Sequence, residues 1–276
     1  MRKINLLLLS SILISLVSCS DKSGGDGKVM RIPALKDVQL EDSFWTPRMQ
    51  QWSGVTANDM LDKFERDGIF RNFDEVAAGK RDIGWHAGPP WYDGLTYETI
   101  RGISDMLILY PDARLEARLD TVISHIVAAQ ASEPTGYINT YTQLNCNNQR
   151  WGKNGGKLRW QHDVYNSGCL VEAGIHHYKA TGKTVLLEAA TKLANYMYDV
   201  MGPSPKWNVV PGHAGPEEAL VKLYILYRDE PGIADRISVP VDAVHYKELA
   251  EFWIEQRGHY GGEEPEGRPS EKTYAQ

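Results

Sequence analysis

Apolar residues recur along most of this chain at the spacing of one helix face, and short turns cut the repeats into lengths that must pack on one another. Leu115, Leu119, Val122, Ile123, Ile126 and Val127 follow that spacing, and Leu186, Ala190, Leu193, Ala194, Met197 and Met201 repeat it. Further helical patterns cover 50–66, 96–110, 160–181, 216–229 and 242–257. Tyr110-Pro111-Asp112, Thr181-Gly182-Lys183-Thr184 and Met201-Gly202-Pro203 each end one helix and begin another. Helices joined so closely lie antiparallel as αα-hairpins, so the predicted class is all-α. No fixed-period repeat is visible, which favours a toroid of hairpins over a solenoid. Residues 29–48 read as extended or loop. Two long connections, 68–95 and 132–159, are rich in aromatics and glycine, a length that is usually functional or disordered. Trp85, Trp91, Trp151, Trp160 and Trp207, five of the eight tryptophans, lie in or beside such loops, which argues for order.

With 276 residues, 42% of them hydrophobic, the chain has enough apolar mass for a sizeable core. Its net charge of −6 argues against a nucleic-acid partner, which wants a basic face. The first residues differ from the rest. Arg2 and Lys3 precede an apolar run from Ile4 to Val17, the pattern of a secretory signal. It closes on Leu16-Val17-Ser18-Cys19, which resembles a bacterial lipobox, with cleavage before Cys19 and lipid attachment to its thiol. Residues 20–30 then read as a flexible tether. The expectation is an exported protein anchored to a membrane by lipid, periplasmic or at the cell surface. Cys146 and Cys169 carry no zinc-type spacing and read as free thiols, a disulfide between them being the alternative.

Three stretches carry candidate chemistry. In WQHDVYNSGCLVEAGIHHYKATGK (160–183), a continuous helix places His162, Tyr165, Asn166, Cys169, Glu172 and His176 on one polar stripe, with Val164, Gly168, Val171, Ile175 and Tyr178 on an apolar one. A surface helix pairs an apolar face with a charged one. A face of neutral hydrogen-bonding groups instead suits the lining of a central cavity. In VVPGHAGPEEALVKLY (209–224), His213 sits in a Gly/Pro loop at a helix mouth, and Glu217 and Glu218 in the first turn complement the helix dipole. In GWHAGPPWYDGLTYETIRG (84–102), Trp85, Trp91 and Tyr92 supply flat faces while Asp93 and Glu98 supply acceptors. Rings that stack on C–H faces beside groups that bond hydroxyls make a sugar site.

Together these segments resemble glycoside hydrolase family 127, the β-L-arabinofuranosidase-like enzymes. DSFWTPR (42–48), GIFRNF (68–73), WYDGLTYETIRG (91–102), AAQASEPTGYINTY (128–141), HDVYNSGCLVEA (162–173), PGHAGPEEALVKLY (211–224) and AEFWIEQRG (250–258) are similar to that family's motifs in the family's order. The resemblance implies an (α/α)6 toroid, of which 31–260 would be the N-terminal part and 261–276 a loop. It implies that His162 and His213 contact the sugar, with Asp163, Tyr165, Asp93 and Trp91 nearby. It also implies a zinc-held cysteine thiolate as nucleophile and a glutamate acid/base, both in the family's second half. Neither Cys146 nor Cys169 matches those positions, so no catalytic residue and no metal ligand is assigned in this chain. About seven helical patterns against the twelve helices of such a toroid point the same way.

The expected function is removal of a terminal sugar from an oligosaccharide or polysaccharide by the full-length, zinc-dependent protein, with the isolated chain inactive. A helical glycan-binding lipoprotein of an uptake system is the first alternative. An epimerase or lyase using His162 and His213 as acid and base is the second.

Overall fold

The strongest apolar repeats fold as predicted. In a computed structural model that describes residues 33–257, Leu115, Leu119, Val122, Ile123 and Ile126 are buried on one helix, and Leu186, Ala190, Leu193, Ala194 and Met197 on another. Each fully buried aliphatic side chain of this size contributes about 1.5–3 kcal/mol. From Leu35 onward the described residues form one unit. The signal-like segment with Cys19, the tether 20–30 and the segment 261–276 lie outside the described residues.

In chain order, α1 (Trp45–Gln51) runs through a π turn at Trp52–Thr56 into α2 (Ala57–Arg66). Then follow α3 (Ile69–Ala77), α4 (Tyr92–Leu109), α5 (Ala113–Ala131), α6 (Thr140–Asn145), α7 (Leu158–Gln161), α8 (Asp163–Thr181), α9 (Val185–Val200), α10 (Gly215–Asp229) and α11 (Ala243–Gln256). Among the described residues β-structure is limited to an isolated bridge between Met201 and Trp207. None of the described helices is long and apolar enough to cross a membrane.

The helices form two rows. One row is α4, α8 and α10, with α8 between the other two; the second is α3, α5, α9 and α11, each touching the next. The α8–α9 and α10–α11 pairs tie the rows together. The turn at Tyr110-Pro111-Asp112 starts α5 cleanly, because the Asp112 carboxylate accepts from Arg114 N at 2.8 Å and Leu115 N at 3.2 Å. It does not make the tight hairpin the sequence suggests, since α5 packs most closely on α3 and α9. Close contact within and between rows needs small residues. A Cβ added at Gly168 of α8 would lie 2.8 Å from the Pro216 main chain of α10, and one at Gly174 would lie 2.9 Å from Ala190 of α9.

Three loop readings are corrected. The segment 29–48 is helical from Trp45. The stretch 68–95 contains α3, whose Ile69, Phe70, Phe73 and Val76 are all buried at helical spacing. The stretch 132–159 contains α6 and a 3-10 segment at Asn147–Gly152. Both connections are ordered by backbone bonds between them, Asp82 N to Gln143 O and Gly84 N to Leu144 O, each 3.0 Å. A fourth correction bears on the site. The helix read over 160–181 is broken at His162, whose left-handed backbone (φ 57°) separates α7 from α8.

Candidate functional site

The break at His162 sets the site's geometry. A non-glycine residue in the left-handed region carries strain of order 1 kcal/mol, which the surroundings must over-determine. Here the ring Nδ1 donates to Trp160 O at 2.7 Å, which leaves Nε2 with its lone pair exposed. Burial lowers the His162 pKa, and His213 nearby adds to the effect, so the ring is neutral at ordinary pH.

Three other side chains converge on it, and a fourth stands behind Tyr165. Trp91, just before α4, lies 5.2 Å from His162 ring to ring. Tyr165, one turn into α8, lies 5.6 Å away, and His213, in the loop before α10, 5.4 Å away. Tyr165 and His213 are 4.9 Å apart, and the Tyr165 hydroxyl donates to Glu98 of α4 at 3.2 Å. With Leu95 these residues line an open cavity of ≈ 310 Å³. Burial first, then Cys169 and Glu98, push the Tyr165 pKa up, so its hydroxyl stays a donor. The walls therefore offer a ring face, two imidazoles, a phenol and a carboxylate.

Of the six residues singled out from the sequence, Trp91, His162, Tyr165 and His213 line this cavity. Asp93 and Asp163 do not; both are fully buried behind it. Asp163 accepts from Tyr137 Oη at 3.0 Å, Thr142 Oγ1 at 2.7 Å and Trp151 N at 2.6 Å, and so fastens the segment 137–151 to the start of α8. Asp93 bonds the Thr140 amide and hydroxyl, each at 2.6 Å. Glu98 is the wall residue that its spacing did not single out from Asp93. It lies five positions further on, so a helix turns it toward Tyr165 while Asp93 faces Thr140.

The polar stripe of α8 also differs from the sequence reading. Asn166 points away from it and donates to Pro90 O at 2.9 Å. Tyr165, Cys169, Glu172 and His176 do share a face, but the lower part is filled with charge rather than open. Glu172 meets Lys222 of α10 at 2.8 Å and Arg101 of α4 at 3.9 Å, and His176 meets Asp105 of α4 at 2.7 Å. Burial would raise the Glu172 pKa; bonds from His176 and Lys222 outweigh it and hold it at about 2. Beside the cavity, Glu217 is not merely a dipole partner. It forms a buried pair with Arg257, which also donates to Pro211 O at 3.0 Å and so fixes the loop carrying His213.

A family model described as the GH127 catalytic domain of β-L-arabinofuranosidase matches residues 37–272. The chain belongs to glycoside hydrolase family 127. A non-reducing end β-L-arabinofuranosidase of Bifidobacterium longum is 30% identical over 151 residues, 54% of this chain and 22% of that protein. Among solved structures, the GH127 β-arabinofuranosidase BT3674 superposes with a TM-score of 0.69 at 31% identity, over 83% of this chain and 34% of that one. The GH127 β-L-arabinofuranosidase Ara127N-Se of Geobacillus stearothermophilus T6 gives 0.67 at 27%, over 80% and 33%. The chain thus spans about a third of these solved structures.

The described residues do not fit the zinc–thiolate that a GH127 resemblance implies. No three His, Cys, Asp or Glu side chains among them converge as a metal site. Among the described residues Cys146 and Cys169 are both free, and neither is set up as a thiolate. Burial and then Glu98 push the Cys169 thiol up to about 12, and burial pushes Cys146 up to about 11.

Proposed function

We propose that this chain supplies the sugar-binding wall of a β-L-arabinofuranosidase-like hydrolase that removes a terminal sugar from a glycan. The observation that supports it is the cavity itself. Neutral His162 offers an acceptor, Glu98 a carboxylate acceptor steadied by the Tyr165 hydroxyl, and Trp91 a flat face, within ≈ 310 Å³. That volume is at the lower end of the ~300–1,000 Å³ typical of ligand pockets and suits one small polar ring rather than an oligomer. In this reading α4, α8 and α10 are inner helices of an (α/α)6 toroid, and the nucleophile, acid/base and zinc belong to residues other than those described.

The experiment is a calorimetric titration of the purified chain with methyl β-L-arabinofuranoside, alongside a hydrolysis assay. Binding without turnover is the expected result. Replacing His213 by Ala should weaken binding roughly tenfold, the value of about 1.4 kcal/mol for one lost hydrogen bond to a buried ligand. Turnover by the chain alone, or affinity unchanged in the His213 variant, would overturn the assignment.

Export and lipid attachment at Cys19 form part of the same proposal, on sequence grounds. Metabolic labelling with a radioactive fatty acid should mark the protein and fail to mark the Cys19→Ser variant; equal labelling of both would exclude attachment there.

A further inference from the structure

Outside the cavity, one aromatic edge is not used by the terminal-sugar reading. Trp160 of α7 is 52% exposed and Trp91 is 38% exposed. Their rings meet edge to face at 5.9 Å. Trp160 is held firmly. Its Nε1 donates to the Tyr141 hydroxyl at 3.3 Å, so the polar edge of the indole is satisfied and its face is left over. Tyr141 in turn packs edge-on against His86 at 5.4 Å. The four-residue α7 that carries Trp160 is pinned by buried Leu158 and by Gln161, whose amide donates to Gln149 O at 2.9 Å. A ring fixed in this way, with a bare face, is pre-organised for stacking and loses little conformational entropy on binding.

We propose that this edge is a second sugar subsite, holding the residue to which the terminal sugar is linked. The inference rests on the terminal-sugar reading of the cavity, because Trp91 belongs to both places: it is a cavity wall and it touches Trp160. A cavity sized for one small ring forces the rest of a glycan outward, and beside the Trp91 wall the neighbouring surface is the Trp160 indole. The occupant is a neutral sugar ring, whose C–H face matches an indole face.

The test compares methyl β-L-arabinofuranoside with a disaccharide that carries a terminal β-L-arabinofuranosyl unit, by calorimetry on the purified chain. The wild type should bind the disaccharide roughly five- to tenfold more tightly, the worth of one ring face. Trp160→Ala should erase that gain and leave the monosaccharide affinity within about twofold, since His162 is held by the main-chain carbonyl of residue 160, which the substitution keeps. Trp160→Phe should recover part of the gain. Equal affinity of the wild type for both sugars would overturn the second subsite alone. Equal weakening of both sugars by Trp160→Ala would do so too, by showing that Trp160 merely supports the cavity. Binding of neither sugar by the wild type would overturn the cavity reading and this inference with it.

Discussion

His162 concentrates the site's cost in one backbone angle. Its φ of 57° is one that glycine adopts freely and a residue with a Cβ does not. A ring there is held by its bond to Trp160 O and by contacts with Trp91, Tyr165 and His213, not by the main chain's own preference. Two variants separate these roles. His162→Gly removes the ring and relieves the strain, whereas His162→Ala removes the ring and keeps it. Glycine should therefore give the more stable protein, by about 1 kcal/mol in urea unfolding, with sugar binding lost equally in both. If alanine proves as stable as glycine, the left-handed turn at 162 is not imposed by the fold.

At the scale of elements, α8 decides what the sequence can and cannot reveal. It packs against α4, α9 and α10, and its glycines let it do so. At Gly168 the neighbour is main chain of α10, which cannot step aside. Gly168→Val should cost about 1–3 kcal/mol by overpacking and weaken binding through His213, which α10 follows in the chain. A denaturation midpoint equal to wild type would show that α10 can shift. The apolar stripe Val164, Val171 and Ile175 was legible because burial on this helix follows the helical period. The start of the helix was not. Nothing in the run Trp160-Gln161-His162-Asp163 breaks helical propensity, and the break comes from partners distant in sequence, Asp163 being held by Tyr137, Thr142 and Trp151. The same reason misplaced Asp93. A carboxylate beside two aromatic residues looks like a sugar ligand, and only the approach of Thr140 from 47 positions away shows it to be a fastener. Helix α3 had the opposite fault: its period is present in Ile69, Phe70, Phe73 and Val76, but nine residues rich in aromatics read as loop.

For the molecule as a whole, these buried fasteners act together on stability through pH. Burial raises the Asp93 and Asp163 carboxyls from 3.8 to about 6. A carboxyl raised in the fold binds more protons folded than unfolded between those values, so each contributes stability that is full below 3.8 and lost as pH rises toward 6. The hydrogen bonds around Asp93 oppose that rise, because the Thr140 amide and hydroxyl both donate to it and favour the carboxylate, so burial alone has to outweigh them. His86 Nδ1 donates to Gly88 O at 3.0 Å, and Nε2 is met both by the Asn72 amide at 3.0 Å and by Thr140 Oγ1 at 2.9 Å. Thr140 has one hydroxyl proton. It goes to Asp93, since the Asn72 amide already meets the Nε2 lone pair of His86. Burial also lowers His86 to about 4 and lowers His162 and His177. Those imidazoles work in the other direction, since their stabilising neutral state is complete above 6.5 and lost as pH falls. Across pH 4–6 the two groups oppose each other, and the wild-type unfolding midpoint should change little. Asp93→Asn keeps an acceptor for the Thr140 amide and a donor for its hydroxyl while removing the titration. Its midpoint should rise steadily from pH 4 to pH 6.5, because the imidazoles are then less opposed. Asp93→Ala leaves the Thr140 amide unpaired and should be destabilised by about 1–3 kcal/mol at every pH. A flat profile for the asparagine variant, parallel to wild type in urea midpoints at pH 4, 5, 6 and 7, would mean that Asp93 stays ionised across that range, the two bonds from Thr140 outweighing its burial.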